Sequence, residues 1–355
     1  MIIAGSVIAA IIIAEVAFAV SAGTEKNATA VQEESAPALP RLQVQGTSLC
    51  QDSSDIPVTF KGISFGWHNI WPRFYNAGAV AELHSAWGAN IFRASIGADS
   101  HAKADNPDCH GGYIDEPDFA LECLYNVVDA AIANGCYVIV DWHSHVLHKE
   151  AAEDFFTKVA TRYADTPNVI YELFNEPVSR EFEEAGDYSQ PSDESLDSYW
   201  CDLKAYAESL ISIIDGISTC HPLILMGCPR WDQSIDVAAR NPVTCYDNLM
   251  YTVHFYAATH GQWLRDRSDA ALAQGLPIFI SECASCEASG DGPMSPEEWQ
   301  AWNGWAAERN ISMMTWSISD KVETCSMLTK EASSEGPWAG DVIKPWGKIV
   351  KDWLK

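Results

Sequence analysis

VIYELFNEP, residues 169–177, decides how the chain is read. Val169 to Phe174 is a short apolar run of the kind a buried parallel strand makes. Such strands normally close on turn residues. This one runs straight into Asn175 and Glu176, an amide and a carboxylate. A polar pair mounted on the tip of a core strand is expensive to bury, so its presence asks for a chemical purpose.

The same kind of run recurs along the chain. Val58–Phe65, Asn90–Ala94, Tyr137–Asp141, Val169–Leu173, Leu223–Met226, Leu249–His254, Ile278–Ser281 and Ser312–Ser317 each have the length and composition of a buried strand. Segments of helical period lie between them, at 119–133, 151–163, 199–214 and 297–308, the last opened by Pro296 at a helix-start position. Strand and helix alternating in this way predict an α/β protein, a (β/α)8 TIM barrel forming a single catalytic domain over residues 41–355. A doubly wound sheet is the structural alternative. It needs a Gly-rich phosphate turn after its first strand, which Gly62-Ile63-Ser64-Phe65-Gly66 does not supply.

In a barrel the chemistry belongs to the C-terminal strand tips. Reading only those tips gives Arg93, His143, Asn175 with Glu176, His254 with Tyr256, Glu282 and Trp316. Any one of them could be a hydrogen-bonded rim residue. Together they point to a site, because purely structural charge is usually left in water.

Four stretches, Tyr137–His143, Tyr171–Pro177, Tyr251–Gly261 and Trp316–Lys321, resemble in order the motifs of glycoside hydrolase family 5, in particular its bacterial-type endo-β-1,4-glucanases. The likeness runs from about Leu42 to the C-terminus. It implies that Glu176, after the Asn, is the acid/base and that Glu282 is the nucleophile. It also implies that Lys321 and Glu323 bond sugar hydroxyls further along the cleft, and that the loop Trp67-His68-Asn69-Ile70-Trp71 faces substrate, with the register of His68 left open. One departure stands behind the nucleophile, where the family usually carries Ser-Glu-Trp-Gly-Thr-Ser and this chain has Ser281-Glu282-Cys283-Ala284-Ser285-Cys286. A disulfide between Cys283 and Cys286 is one expectation for that rebuilt loop.

The chemistry agrees without the family name. Cleaving a glycosidic bond needs an acid for the leaving oxygen and a second carboxylate for the oxocarbenium-like carbon, about 5 to 5.5 Å apart when configuration is retained. Two carboxylates that close cannot both ionise freely. The one with fewer donors keeps its proton, so Glu176 is expected to hold it while Arg93, His254 and Tyr256 gather at Glu282. Asn175 is placed to bond the sugar 2-hydroxyl, and Trp316 to floor a pyranose ring, with Trp67, Trp71 and Trp263 as weaker candidates. The His143-Ser144-His145 spacing also suits a metal hydrolase, but that reading leaves the two glutamates without a purpose, so no metal and no cofactor is expected.

Composition bounds the rest. With 355 residues, 47% of them hydrophobic, the chain can bury a large core, and 14 Trp and 12 Tyr offer flat surfaces that suit sugars. A formal charge of −27 argues against nucleic acid, anionic lipid and acidic polysaccharide as partners. A β-glucan is the expected partner, of a monomer. Residues 1–22 form an apolar stretch read as a signal peptide, or as a signal anchor since no Lys or Arg precedes it and Glu15 interrupts it; 23–40 read as a flexible linker with a sequon at Asn27. A second sequon at Asn310 is expected to go unused against a core strand. A secreted protein follows, or one held on a membrane if the segment is not cleaved. Eleven cysteines then predict disulfides, with at least one thiol left over. Glycan specificity stays open between cellulose-type chains and β-mannan, xyloglucan or mixed-linkage glucan, a barrel that binds polysaccharide without cutting it being the non-enzyme alternative. No carbohydrate-binding domain is expected outside the barrel, which favours action on soluble or amorphous glucan.

Overall fold

The computed structural model describes residues 39–52, 54–100 and 109–355. It opens with an antiparallel hairpin, β1 (Leu42–Gln45) and β2 (Ser48–Gln51), turned by Gly46 in the left-handed region at φ 62°. Among the described residues, eight parallel strands follow. They are β3 (Lys61–Phe65), β4 (Ile91–Gly97), β5 (Tyr137–His143), β6 (Val169–Glu172), β7 (Ile224–Met226), β8 (Leu249–Tyr256), β9 (Ile278–Ala284) and β10 (Met313–Ile318). Each pairs with the next and β10 pairs with β3, which closes the barrel. All eight strands expected from the sequence are there, in order.

The helices outside them start where the chain supplies a start signal. Pro117 and Pro296 open Pro117–Ala133 and Pro296–Arg309, where a missing N–H does no harm. Asp193–Ile217 begins earlier than its apolar period suggests, because Ser192 caps it by accepting from Ser195 N at 3.2 Å and Asp193 and Glu194 follow at its positive end.

Side chains alternate along each strand, and this positions the site. At the lower end the inward residues Ile91, Ile139, Ile170, Met250, Phe279 and Met314 pack together, with Leu42, Leu49 and Phe60 closing the bottom. Two residues further up, the inward positions turn polar: Arg93 on β4, Asp141 on β5, Glu172 on β6, Thr252 on β8. Gly62 on β3 leaves the room the lower, apolar layer needs, since a Cβ there would lie 2.5 Å from Ile91 Cγ2 and from Met314 Cε. Between Thr252 and His254 the β8–β9 register shifts, which brings His254 opposite Glu282.

Some expectations change. The signal segment 1–22, the linker up to residue 38 and Asn27 lie outside the described residues. No helix among the described residues is long and apolar enough to cross a membrane. Asn310 is exposed, capping its helix at φ 55°, so core burial is not what would keep a glycan off it. Cys283 and Cys286 are both thiols in this structure. Cys283 does not meet Cys286. It lies past the β8–β9 register shift, next to inward Glu282, and its Sγ donates to Met314 O at 3.3 Å.

Candidate active site

Arg93 is fully buried and ties the upper barrel together. Its Nε donates to Glu172 Oε2 at 2.6 Å, its Nη2 to Asn175 Oδ1 at 2.6 Å and its Nη1 to Glu282 Oε2 at 2.9 Å, with Asp141 Oδ2 at 2.9 Å from Nη2. Tyr256 Oη donates to the other oxygen of Glu282 at 2.7 Å. Asn175 Nδ2 is buried and has no partner within the protein. His254 donates from Nδ1 to Glu176 Oε1 at 2.9 Å and from Nε2 to Ser281 Oγ at 2.8 Å, with Asp232 Oδ2 at 3.1 Å. One oxygen each of Glu176 and Glu282 lie within 4.8 Å of one another.

Five acids, Asp141, Glu172, Glu176, Asp232 and Glu282, therefore meet two bases, Arg93 and His254. Burial works against charge throughout. It pushes the carboxyls of Asp141 and Asp232 well above the usual range. It also opposes the His254 imidazolium, but Asp232, Glu172 and Glu176 outweigh it and hold the ring protonated far above an ordinary histidine. Glu176 resists burial through its hydrogen bond to that cation and ends below the usual range. Glu282 ends above it, pushed up by burial and by the charge of Glu176 more than His254, Arg93 and Tyr256 pull it down. His254 hydrogen-bonds Glu176 and not Glu282, which departs from the grouping expected around Glu282 and favours charge on Glu176.

A cleft of about 530 Å³ opens beside Glu176, lined also by His145, Gln190, Arg230, Trp231, Gln233, His254, Tyr256 and His260. The sequence profile of the family described as Cellulase (glycosyl hydrolase family 5) matches residues 51–322. The chain belongs to glycosyl hydrolase family 5. It is 34% identical over 317 residues to an endoglucanase of Clostridium saccharobutylicum, covering 88% of this chain and 64% of that one. To endoglucanase Z of Dickeya dadantii it is 34% identical over 296 residues, covering 81% and 63%. The chain thus spans less than two thirds of these curated relatives. Among solved structures, one from Cytophaga hutchinsonii superposes with a TM-score of 0.77 at 36% identity, covering 88% of this chain and 94% of that one. The catalytic domain of Thermobifida fusca endoglucanase Cel5A gives 0.75 at 28%, covering 88% and 97%, and a variant of it was solved in complex with cellotetraose.

Against this family 5 frame, the tip residues fall into groups. Arg93, Asn175, Glu176, His254, Tyr256 and Glu282 are brought together at the mouth of the barrel. His143 is anchored by Asp141 Oδ2 at 2.6 Å and stacks on Trp316, with ring planes 4° apart and centroids 5.2 Å apart. Trp316 thus has one ring face occupied by protein. Trp67 stands nearly perpendicular to the same imidazole, with ring centroids 4.2 Å apart. His68 is a correction: it is fully buried, accepts from Gly97 N at 3.0 Å and is driven down to about 3 by burial, so it is a neutral brace for the end of β4. Trp71 is another, buried where a Cβ on Gly66 would come within 2.8 Å of its ring. Lys321 and Glu323 pair with each other on the loop after β10 and do not line the cleft beside Glu176; Trp263, exposed beside Arg267, does not line it either.

Several residues escaped the sequence reading. Asp141 and Glu172 sit inside runs taken as plain core; their phase with the next inward residue, His143 on β5, was the available signal. Ser281 donates to Glu172 at 2.6 Å and Thr252 to Asp232 at 2.6 Å, completing the network. Trp231 reaches the cleft from a run of left-handed residues, Arg230 to Asp232, and lies parallel to exposed Tyr188 at 6.0 Å. Nothing in the pattern of 178–192 marks Tyr188.

Proposed function

We propose that this chain hydrolyses internal β-1,4-glucosidic bonds of cellulose-type glucans with net retention. The carrying observation is the carboxylate pair, with oxygens of Glu176 and Glu282 within 4.8 Å. An inverting site holds its carboxyls roughly 6.5–9.5 Å apart to admit a water, whereas the shorter gap brings the nucleophile onto the anomeric carbon. Names of the relatives and the cellotetraose complex support the glucan.

Glu282, its oxygens held by Arg93 and Tyr256, attacks the anomeric carbon while Glu176, on the open side of the cleft, protonates the leaving oxygen. The attack uses the form of the pair in which Glu176 carries the proton and Glu282 does not. Glu176 then takes a proton from water, which attacks the glycosyl-enzyme bond and releases Glu282. Asn175 Nδ2, a buried donor without a protein partner, takes the sugar 2-hydroxyl. The protein acts outside the cell as a monomer; the apolar stretch 1–22 supports export, and N-terminal sequencing of the protein recovered from culture medium tests it.

Proton NMR early in cello-oligosaccharide hydrolysis decides the stereochemistry. The β-anomer of the new reducing end appears first and the α-anomer grows only by mutarotation; early α-anomer overturns the pairing. Reducing-sugar release from carboxymethylcellulose, lichenan, xylan and galactomannan, side by side, tests the glycan.

A further inference from the structure

The loops after β9 and β10 run side by side at the mouth. Cys325 N donates to Gly290 O at 2.9 Å, and Thr324 Oγ1 to Gly292 O at 2.7 Å. Between them lies Cys325, its Sγ packed under Gly290 of the loop that carries Cys286, close enough for the two thiols to interact; both residues are buried, at 0% and 1% exposure. Gly290 closes the loop over this contact: at φ 82°, it stands where a Cβ would lie 3.2 Å from Cys325 Sγ. Cys283, the other cysteine of the rebuilt loop, is turned away to Met314 O.

We propose that Cys286 and Cys325 are the two ends of a disulfide that ties the loop after β9 to the loop after β10. The oxidant is a low-molecular-weight disulfide, such as oxidised glutathione, or a protein disulfide donor. One cysteine thiolate attacks the donor's S–S bond and displaces a thiolate. The second cysteine thiolate then attacks the mixed disulfide and displaces the other. The two cysteines lose two electrons and two protons, and the donor's disulfide becomes two thiols. The neighbouring thiol and burial hold Cys325 protonated well above an ordinary cysteine, so the exchange belongs to the folding chain, before the loops close.

The bond would tie one rim of the cleft to the loop beside it. One loop carries Ala288 and Ser289, which line the cleft beside Glu176; the other carries Lys321 and Glu323. Oxidation also removes the thiol that donates to Glu323 Oε1 at 3.3 Å, leaving Lys321 as the partner of that carboxylate.

The test refolds the full chain in a glutathione redox buffer, blocks thiols under denaturing conditions without reduction, and maps tryptic peptides. The expected product is one linked pair containing Cys286 and Cys325, lost on reduction, kept in Cys283→Ser and absent from Cys286→Ser. Blocked thiols at both positions, or linkage of either to another cysteine, overturn the proposal. Cys286→Ser, Cys325→Ser and the double variant should each lower Tm by roughly 5 °C in the oxidised protein, without adding, and match the unsubstituted chain once all are reduced. Additive losses, or equal losses after reduction, overturn it as well. If a variant fails to fold, the peptide map of the unsubstituted chain still decides.

Discussion

Glu176 and Glu282 carry the same functional group and differ in what touches it. Glu282 is held by a permanent cation and a phenol, so replacing it with Gln removes the attacking atom and should lower turnover by at least about 10³-fold with folding intact. Glu176→Gln removes only the proton delivery. An aryl cellobioside with an acidic phenol needs little of that, so its glycosylation should stay measurable while glucan is no longer cut; equal loss of both substrates contradicts the roles. Tyr256 gives a pH test. A hydrogen bond to a carboxylate favours the ionised form, so deleting it raises the pKa. Glu282 already lies above the usual range and must be ionised to attack, so activity is lost as pH falls through its pKa. Tyr256→Phe should therefore move the acid limb of kcat/KM upward by roughly one unit, and an unmoved or lowered limb would mean another group controls it.

At the scale of strands, the packing of β3 is measurable. Gly62 has Ile91 Cγ2 and Met314 Cε only 2.5 Å from where a Cβ would stand, whereas nothing lies within 4 Å of that position at Gly216 in the helix Asp193–Ile217. Gly62→Ala should lower stability by about 1–3 kcal/mol through overpacking, and Gly216→Ala should raise it by about 0.5–1 kcal/mol by restricting the unfolded chain. Urea midpoints read both, at unchanged slope. The strands themselves were legible because a parallel strand buried on both faces is a continuous apolar run, and a polar residue just past such a run stands out. The same continuity hid Asp141 and Glu172, which sit within the runs. The hairpin was missed because four-residue strands are too short to declare a period. The target of His254 depends on the register shift between β8 and β9, and the burial of His68 and Trp71 on the path of a loop; neither is written in local pattern.

Over the whole molecule, a charge of −27 acts on any charged polymer that approaches. Carboxymethylcellulose is repelled and hydroxyethylcellulose is not. Screening shortens from about 30 Å at 0.01 M salt to about 8 Å at 0.15 M. The rate on the first relative to the second should rise several-fold over that range; a flat ratio would mean that the cleft is shielded from the molecular field. Barrel closure reaches further. Met313 pairs with Lys61, and Phe60 N bonds Ser312 Oγ across 252 positions of sequence. Until β10 docks, β3 and β9 each present an unpaired row of N–H and C=O groups, and a row of that kind accepts a strand from any neighbouring chain. A chain interrupted before β10 would then be more than an inactive fragment. It would be an open sheet with two adhesive borders, prone to stack with its own copies, and the seam that completes the catalytic mouth is also what keeps the folded molecules apart.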